Sequence, residues 1–538
     1  MKFKLAAMST VCLVVSLISH FSHALNTQSH EIINEQAARR SQLDTTLKQQ
    51  LGLVGGIEEP INGRPVFQWI RIGGNREDAS APWGWGYATG KARAFRHFHD
   101  PLVEPWSLAG LRVPPFPRFE SSVRWAQRTD QDSTAGFGNY SWRDARRYYL
   151  TALRGESPTD REQAFADTFR ALGQVMHLVV DASVPEHVRA DAHPLGAVFG
   201  NYEYWVSDQH TRQGSEPGFI ATYLSAPIPP DPALFDIPPP VGEGVATVPI
   251  ARLFDSDRYT GANPGVTAGS LIGIAEVANA NFLSEDTRHG QYPHPAQANL
   301  ERYTRLYTKT GYERRYYRLR PGFGLSADPV AEECALNELT GLEELCVDPE
   351  VWRETARKML PRAVGYSKAV LDYFFRAMFD FKVEFASDDP TQRELTISIP
   401  PSPTAETMNG TFTLYAEDQA GQRTLVPGAA TTLELGRGTE TQLAFTPADE
   451  AQIQAYVLVF TGTLGLEAGA VAGRVQPWEG AYIFAASGFS VGTPNRLWSV
   501  RIPWVSQPRG AGTGRGRRSG SRSPSCSGRG CGTRRPSA

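Results

Sequence analysis

Two periods of apolar residues divide this chain. Between residues 25 and 381 they recur at spacings of three and four. Phe165, Phe169, Leu172, Met176 and Val179 fall on one stripe of a helix, which reads as a core face. Residues 143–153, 270–283 and 350–380 also read as helices, and Thr159 with Glu162 behind Pro158 reads as a capping box. Near Lys382 the pattern changes. The runs Glu394-Leu-Thr-Ile-Ser-Ile, Gly410-Thr-Phe-Thr-Leu-Tyr, Gln442-Leu-Ala-Phe and Ala455-Tyr-Val-Leu-Val-Phe read as short and alternating, and Gly, Asn, Asp and Pro separate them. Such runs predict an antiparallel β-sandwich of the Ig-like kind. The expected fold class is a mainly α-helical N-terminal domain (25–381) followed by an all-β sandwich (382–506). The proline-rich stretch 226–250 reads as an ordered excursion or a surface loop, because helical sequence resumes after it.

The two ends differ from this body. Lys2 and Lys4 precede an apolar run, Leu5 to Ile18, too short to span a bilayer, and Ser22-His23-Ala24 offers small residues for cleavage. Residues 1–24 are therefore expected to be a secretory signal peptide and the protein secreted or periplasmic. No later segment is long and apolar enough to cross a membrane. Residues 507–538 are dominated by Gly, Ser, Arg and Pro, a composition that cannot build a core. They read as a disordered basic tail or a reading-frame artefact.

Of the 538 residues, 41% are hydrophobic and 21% charged, as in soluble globular proteins. The net charge of −3 conceals an asymmetry. Without the eight tail arginines and the two signal lysines, 44 basic residues face 57 acidic ones. A body near −13 argues against tight nucleic-acid binding. Cys334 and Cys346 lie twelve apart in a loop-like stretch, and export would permit a disulfide between them. The cysteine spacing indicates no metal site.

The histidines carry the chemistry. Nine remain after cleavage; six precede residue 200, and none follows residue 294. The string at 177–187, His-Leu-Val-Val-Asp-Ala-Ser-Val-Pro-Glu-His, places His177 and Asp181 four apart at the end of a helix, on one face. Ser183 to Pro185 breaks the helix, and His187 sits on the turn that follows. Imidazole with carboxylate is a ligand set that suits zinc.

This spacing resembles the signature of the bacterial zinc-dependent phospholipases C and, more distantly, of the single-strand-specific zinc nucleases: His, three residues, Asp, three residues, Pro, one residue, His. His177, Asp181, Pro185 and His187 fit it, whereas Leu178 and Val180 depart from the phospholipase pattern. Arg96-His97-Phe98-His99-Asp100-Pro101 resembles a second family string, aligning His97 with a zinc ligand and placing His99 where the family has Tyr. Asn75-Arg76-Glu77-Asp78 resembles the stretch that supplies an Asp ligand, either Asp78 or Glu77. Asn201-Tyr202-Glu203-Tyr204-Trp205-Val206 resembles the segment whose Glu binds zinc. The family's His four residues earlier is Phe199 here, a position that His193 would have to supply. Cleavage after Ala24 would make Leu25 the first residue and His30 the sixth, matching the family's use of its terminal amine and carbonyl together with a nearby His.

The resemblance covers roughly residues 25–206 and implies up to three zinc ions. Asp78, His97, His177 and Asp181 would hold one; His187, His193 and Glu203 a second; and Leu25 (backbone), His30 and a shared Asp181 a third. It implies a secreted phosphodiesterase acting on a phospholipid or related phosphodiester, with Asp78 as general base and peripheral membrane contact through the sandwich. Two other readings stay open: a zinc nuclease on the same scaffold, and a non-catalytic surface or adhesion protein that zinc merely staples.

Overall fold

A computed structural model describes residues 27–78, 90–112, 117–191, 201–211, 216–240, 248–284, 292, 295–307, 310–333, 345–389, 391–447 and 452–478. The signal region, the basic tail, Leu25, His193, Phe199 and Cys334 lie outside these residues.

The principal helices are α1 (Thr27–Arg40), α2 (Val66–Arg76), α3 (Trp142–Arg154), α4 (Pro158–Asp181), α5 (Tyr202–Thr211), α6 (Ile274–Asn281) and α7 (Pro349–Phe374). Helix α4 is the axis of the group. Its last eleven residues, Ala171 to Asp181, are all buried, so the expected stripe widens to the whole circumference. The start of α4 differs from expectation. Ser157, not Thr159, is the cap and accepts the Asp160 N–H, with Pro158 in the first turn. Proline is favoured there because its missing N–H would have no intrahelical partner. Helix α7 stops at Phe374, short of the expected residue 380, because a strand begins at Asp380.

Glycine sets the closeness of the helices. A Cβ on Gly73 of α2 would lie 2.2 Å from the Arg170 carbonyl of α4, and one on Gly173 would lie 2.2 Å from the Ile70 carbonyl. The two backbones are in contact, which a larger residue would forbid. Asn34 of α1 ties in the third helix, its Nδ2 donating to the Gly173 carbonyl at 3.0 Å.

A four-stranded antiparallel sheet, β1 (Leu300–Leu306), β2 (Glu313–Leu319), β3 (Ala331–Glu333) and β4 (Leu345–Cys346), lies within the region expected to be helical. Its first hairpin pairs Tyr303 with Tyr316 and Arg305 with Arg314. The Tyr and Thr residues of this run suit a pleated, half-buried surface better than a helical stripe.

The C-terminal part is the expected sandwich. Strands β5 (Asp380–Phe385), β6 (Arg393–Ser398), β7 (Met408–Asp418), β8 (Arg423–Leu435), β9 (Glu440–Phe445), β10 (Ile453–Leu464) and β11 (Glu467–Pro477) form two sheets. Their orders are β9-β6-β5 and β8-β7-β10-β11, with every pairing antiparallel. Phe381, Ile397, Phe412, Leu414, Leu458 and Phe460 fill the space between them. The mainly helical region and the sandwich belong to one compact unit.

Strand β10 explains the joint. Tyr456, Leu458 and Phe460 face the sandwich core, whereas Val457 and Val459 belong to the core of the helical region. The second face needs a close neighbour. A Cβ on Gly473 would come within 2.3 Å of Leu153 on α3. An ionic cluster closes the seam. Arg146 of α3 grips Glu467 with Nε to Oε1 and Nη2 to Oε2, both at 2.9 Å, and Arg376 reaches Oε2 at 2.7 Å. Trp142 donates its indole N–H to the same carboxylate at 2.8 Å. Arg146 and Glu467 are both buried. Removing one partner of such a pair leaves a charge stranded away from water. Glu467→Ala is therefore expected to lower stability by about 3–5 kcal/mol, read as a fall in the midpoint of chemical unfolding, with far-ultraviolet circular dichroism of the folded form unchanged.

Candidate metal centre

The glycine-mediated contact of α2 with α4, with α1 clipped alongside, brings the polar ends of three helices together. His30 comes from α1, Asp78 from two residues beyond α2, and His177 and Asp181 from the last turns of α4. His97 follows a short helical turn, His187 lies on the turn after α4, and Glu203 opens α5. All seven side chains are buried.

Asp181 is the centre of the arrangement. Its Oδ2 lies 3.0 Å from His97 Nδ1 and 3.1 Å from His177 Nε2. Its Oδ1 lies 3.3 Å from His30 Nε2 and 3.6 Å from His187 Nδ1. Each oxygen of one carboxylate thus faces its own pair of imidazoles. Asp78 Oδ1 stands 3.5 Å from His97 Nδ1 and 3.7 Å from His177 Nε2. Glu203 Oε1 is 3.1 Å from the far nitrogen of His187. Three ligand groups result: His30, His177 and Asp181; Asp78, His97 and His177; Asp181, His187 and Glu203.

These groups could hold metal ions, and the donor atoms carry the mark of it. Both nitrogens of His30 and both oxygens of Asp78 and Asp181 lack a hydrogen-bond partner among the described residues, although buried. Orphaned buried polar atoms are rare and call for an explanation. A cation bound between them supplies one.

The protons follow the same geometry. His177 Nδ1 is 2.6 Å from the Gly74 carbonyl. A carbonyl only accepts, so Nδ1 donates and Nε2 is left facing the cluster, the orientation that fixes a ligating imidazole. Burial opposes a charge on His177, but Asp181, Asp78 and Glu77 outweigh it and push its pKa up to about 10. His30 stacks on His177 with ring centroids 3.6 Å apart; burial first, then the charge on His177, holds its pKa below the ordinary value. Asp181 is held well below the carboxylate range: burial acts against ionisation, and His177, His187, His97 and His30 overcome it.

Of the residues read from the sequence, His30, Asp78, His97, His177, Asp181, His187 and Glu203 come together; Leu25 and His193 lie outside the described residues. The choice between Asp78 and Glu77 is made by Glu77's other partners. Its Oε2 accepts from Arg93 and its Oε1 from the Trp125 indole, both at 2.7 Å. Glu77 is thereby occupied as a support, and Asp78 faces the histidines. The sequence reading gave Asp181 no part in the His187–Glu203 group. The His177–Asp181 spacing shows that both residues share a face but not that the next turn brings His187 under the same carboxylate.

No protein-family model matches the chain, and no curated protein does. Among solved structures, the alpha-toxin of Clostridium perfringens from avian strain SWCP is 13% identical, with a TM-score of 0.26, over 85% of this chain and 93% of that one. The alpha toxin from Clostridium absonum is 11% identical, with a TM-score of 0.27, over the same shares.

The raised His177 has two consequences of opposite sign. In the metal-free protein its charge contributes stability that is complete below the ordinary value of 6.5 and is lost as pH rises through about 10. A metal must displace that proton, so its affinity rises with pH across the same interval. Zinc affinity measured by chelator competition at pH 6.5, 7.2 and 8.0 is expected to strengthen by about tenfold per unit for one displaced proton. A flat profile would contradict a proton on His177 that the metal has to displace.

Proposed function

We propose that this chain is an exported zinc-dependent phosphodiesterase acting on a phospholipid or a related phosphodiester. The observation that carries the reading is the buried Asp181 carboxylate, shared between two imidazole pairs and lacking hydrogen-bond partners among the described residues. The residue strings at 75–78, 96–101, 177–187 and 201–206, which resemble the bacterial zinc phospholipases C, support the same reading.

In this proposal His97, His177, Asp78 and Asp181 hold one zinc, His187, Glu203 and Asp181 a second, and His30, the shared Asp181 and the amine and carbonyl of Leu25 a third. His193 is the further ligand proposed for the second. Clustered zinc, when bound, activates water near neutral pH and offsets the charge of a phosphodiester. The protein's own part is to hold and orient. The Gly74 carbonyl sets the His177 ring, and Glu77, anchored by Arg93 and Trp125, stands 3.9 Å behind His97 Nε2. Asp78 is the proposed general base, a carboxylate at the edge of the cluster with neither oxygen hydrogen-bonded among the described residues. The acidic body disfavours a nucleic-acid polyanion as substrate.

The test uses the mature chain beginning at Leu25, assayed for zinc content and for turnover of short-chain phosphatidylcholine, a chromogenic choline phosphodiester and single-stranded DNA. The lipid and choline substrates are expected to turn over, and Asp78→Asn is expected to lower kcat by at least about 10²-fold. Two residues added before Leu25 are expected to remove one zinc, because a secondary amide replaces the terminal amine. Bound zinc with no turnover of any substrate would favour the stapled, non-catalytic protein, and turnover of DNA alone would favour the nuclease.

A further inference from the structure

His99 is not among the metal-facing histidines, yet it is buried and both its ring nitrogens are engaged. Nδ1 is 2.8 Å from Ser121 Oγ, and Nε2 is 2.8 Å from Asp255 Oδ2. All three residues are at most 1% exposed. Ser121 Oγ already accepts the Val123 N–H as the cap of the short helix Ser122–Trp125. Nε2 faces a carboxylate, which only accepts, so Nε2 carries the ring proton and Nδ1 of the neutral ring accepts the Ser121 hydroxyl hydrogen. The Asp255 carboxylate accepts from Nε2–H and, through Oδ1, from the Asp257 N–H at 2.8 Å. The ring is held at both ends, so it can neither rotate nor flip without breaking a buried bond. Although the residue types are those of a hydrolytic triad, Ser121 is fully buried and its oxygen is committed to the helix cap, so it is no nucleophile.

The string bears on the metal centre through the backbone of residues 97–100. The His99 N–H donates to the His187 carbonyl at 3.0 Å. The Phe98 ring stacks on the His187 ring, with centroids 4.4 Å apart and planes 25° apart. His97, one residue earlier, faces Asp181 and Asp78. The same segment is anchored on its other side by Ser122 N–H to the Phe98 carbonyl at 2.9 Å and Asp100 N–H to the Ala109 carbonyl at 2.8 Å. Three consecutive residues thus present one imidazole, stack on a second and clamp the turn that carries it.

We infer that His99, fixed between Ser121 and Asp255, is a positioning residue that sets the places of His97 and His187 in the metal centre. The inference rests on the metal-centre reading above. Groups that hydrogen-bond ligating residues directly are worth about 10–100-fold in metal affinity; the His99 ring acts one step further out, through the backbone that it anchors, so its loss falls at the low end of that range. His99→Phe fills the ring's volume but strands Ser121 and Asp255. His99→Gln keeps an amide able to reach one partner.

The experiment measures zinc number and affinity by chelator competition, the visible absorption of the cobalt-loaded protein, and the circular dichroism of the metal-free form. Wild type is expected to bind metal. His99→Phe is expected to lose about tenfold in affinity, the low end for supports of ligating groups, and to show altered cobalt bands with unchanged circular dichroism, and His99→Gln to recover part of the loss. If His99→Phe does not fold, Asp255→Asn, which weakens one end only, is expected to change the cobalt spectrum in the same direction by less. A folded variant with wild-type zinc affinity and an unchanged cobalt spectrum would overturn the positioning role. A wild-type protein that binds no metal would instead overturn the metal-centre reading itself.

Discussion

One buried carboxylate governs this structure. Asp181 has no exposure, and four imidazoles from four separate segments surround it. An ionised carboxylate removed from water is tolerated only when positive charge or hydrogen bonds replace the water it has lost. Here the histidines supply part of that compensation. The orphaned oxygens of Asp78 and Asp181 leave room for cations to supply the rest.

The protein invests its packing in keeping these groups still. The contact of Gly73 with Gly173 lets α2 and α4 approach until backbone meets backbone, and Asn34 secures α1 against them. Around the histidine–carboxylate cluster lies a layer of committed polar groups: the Gly74 carbonyl on His177, Glu77 with Arg93 and Trp125 behind His97, and Ser121–His99–Asp255 beside the turn of His187. Farther out, β10 buries both its faces and the Arg146–Glu467–Arg376 cluster locks the sandwich onto α3. The sandwich is thus joined to the helical region by both apolar packing and buried charge.

Much of this was legible in the sequence where the signal is local. The His177–Asp181 spacing at a helix end gave the heart of the cluster, and short runs between turn residues gave the sandwich strands. What depends on distant segments was not. Glu77 and Asp78 are adjacent and chemically alike; only Arg93 and Trp125 decide which of them faces the histidines. The sharing of Asp181 with His187 depends on the fold of the turn after α4. The sheet at 300–346 escaped a reading tuned to helical stripes, although its Tyr and Thr residues favour strands. The run Ala455-Tyr-Val-Leu-Val-Phe does not alternate as expected; its unbroken apolar character is the signal of a strand covered on both sides.

Anomalous diffraction at the zinc edge from crystals of the zinc-loaded protein tests the central claim most directly. The account predicts at least two anomalous peaks flanking the Asp181 carboxylate, each at about 2.0–2.2 Å from its ligand atoms, one beside His97 and His177 and one beside His187 and Glu203. An Asp181 carboxylate with no peak on either side, in crystals grown with zinc in excess, would contradict it.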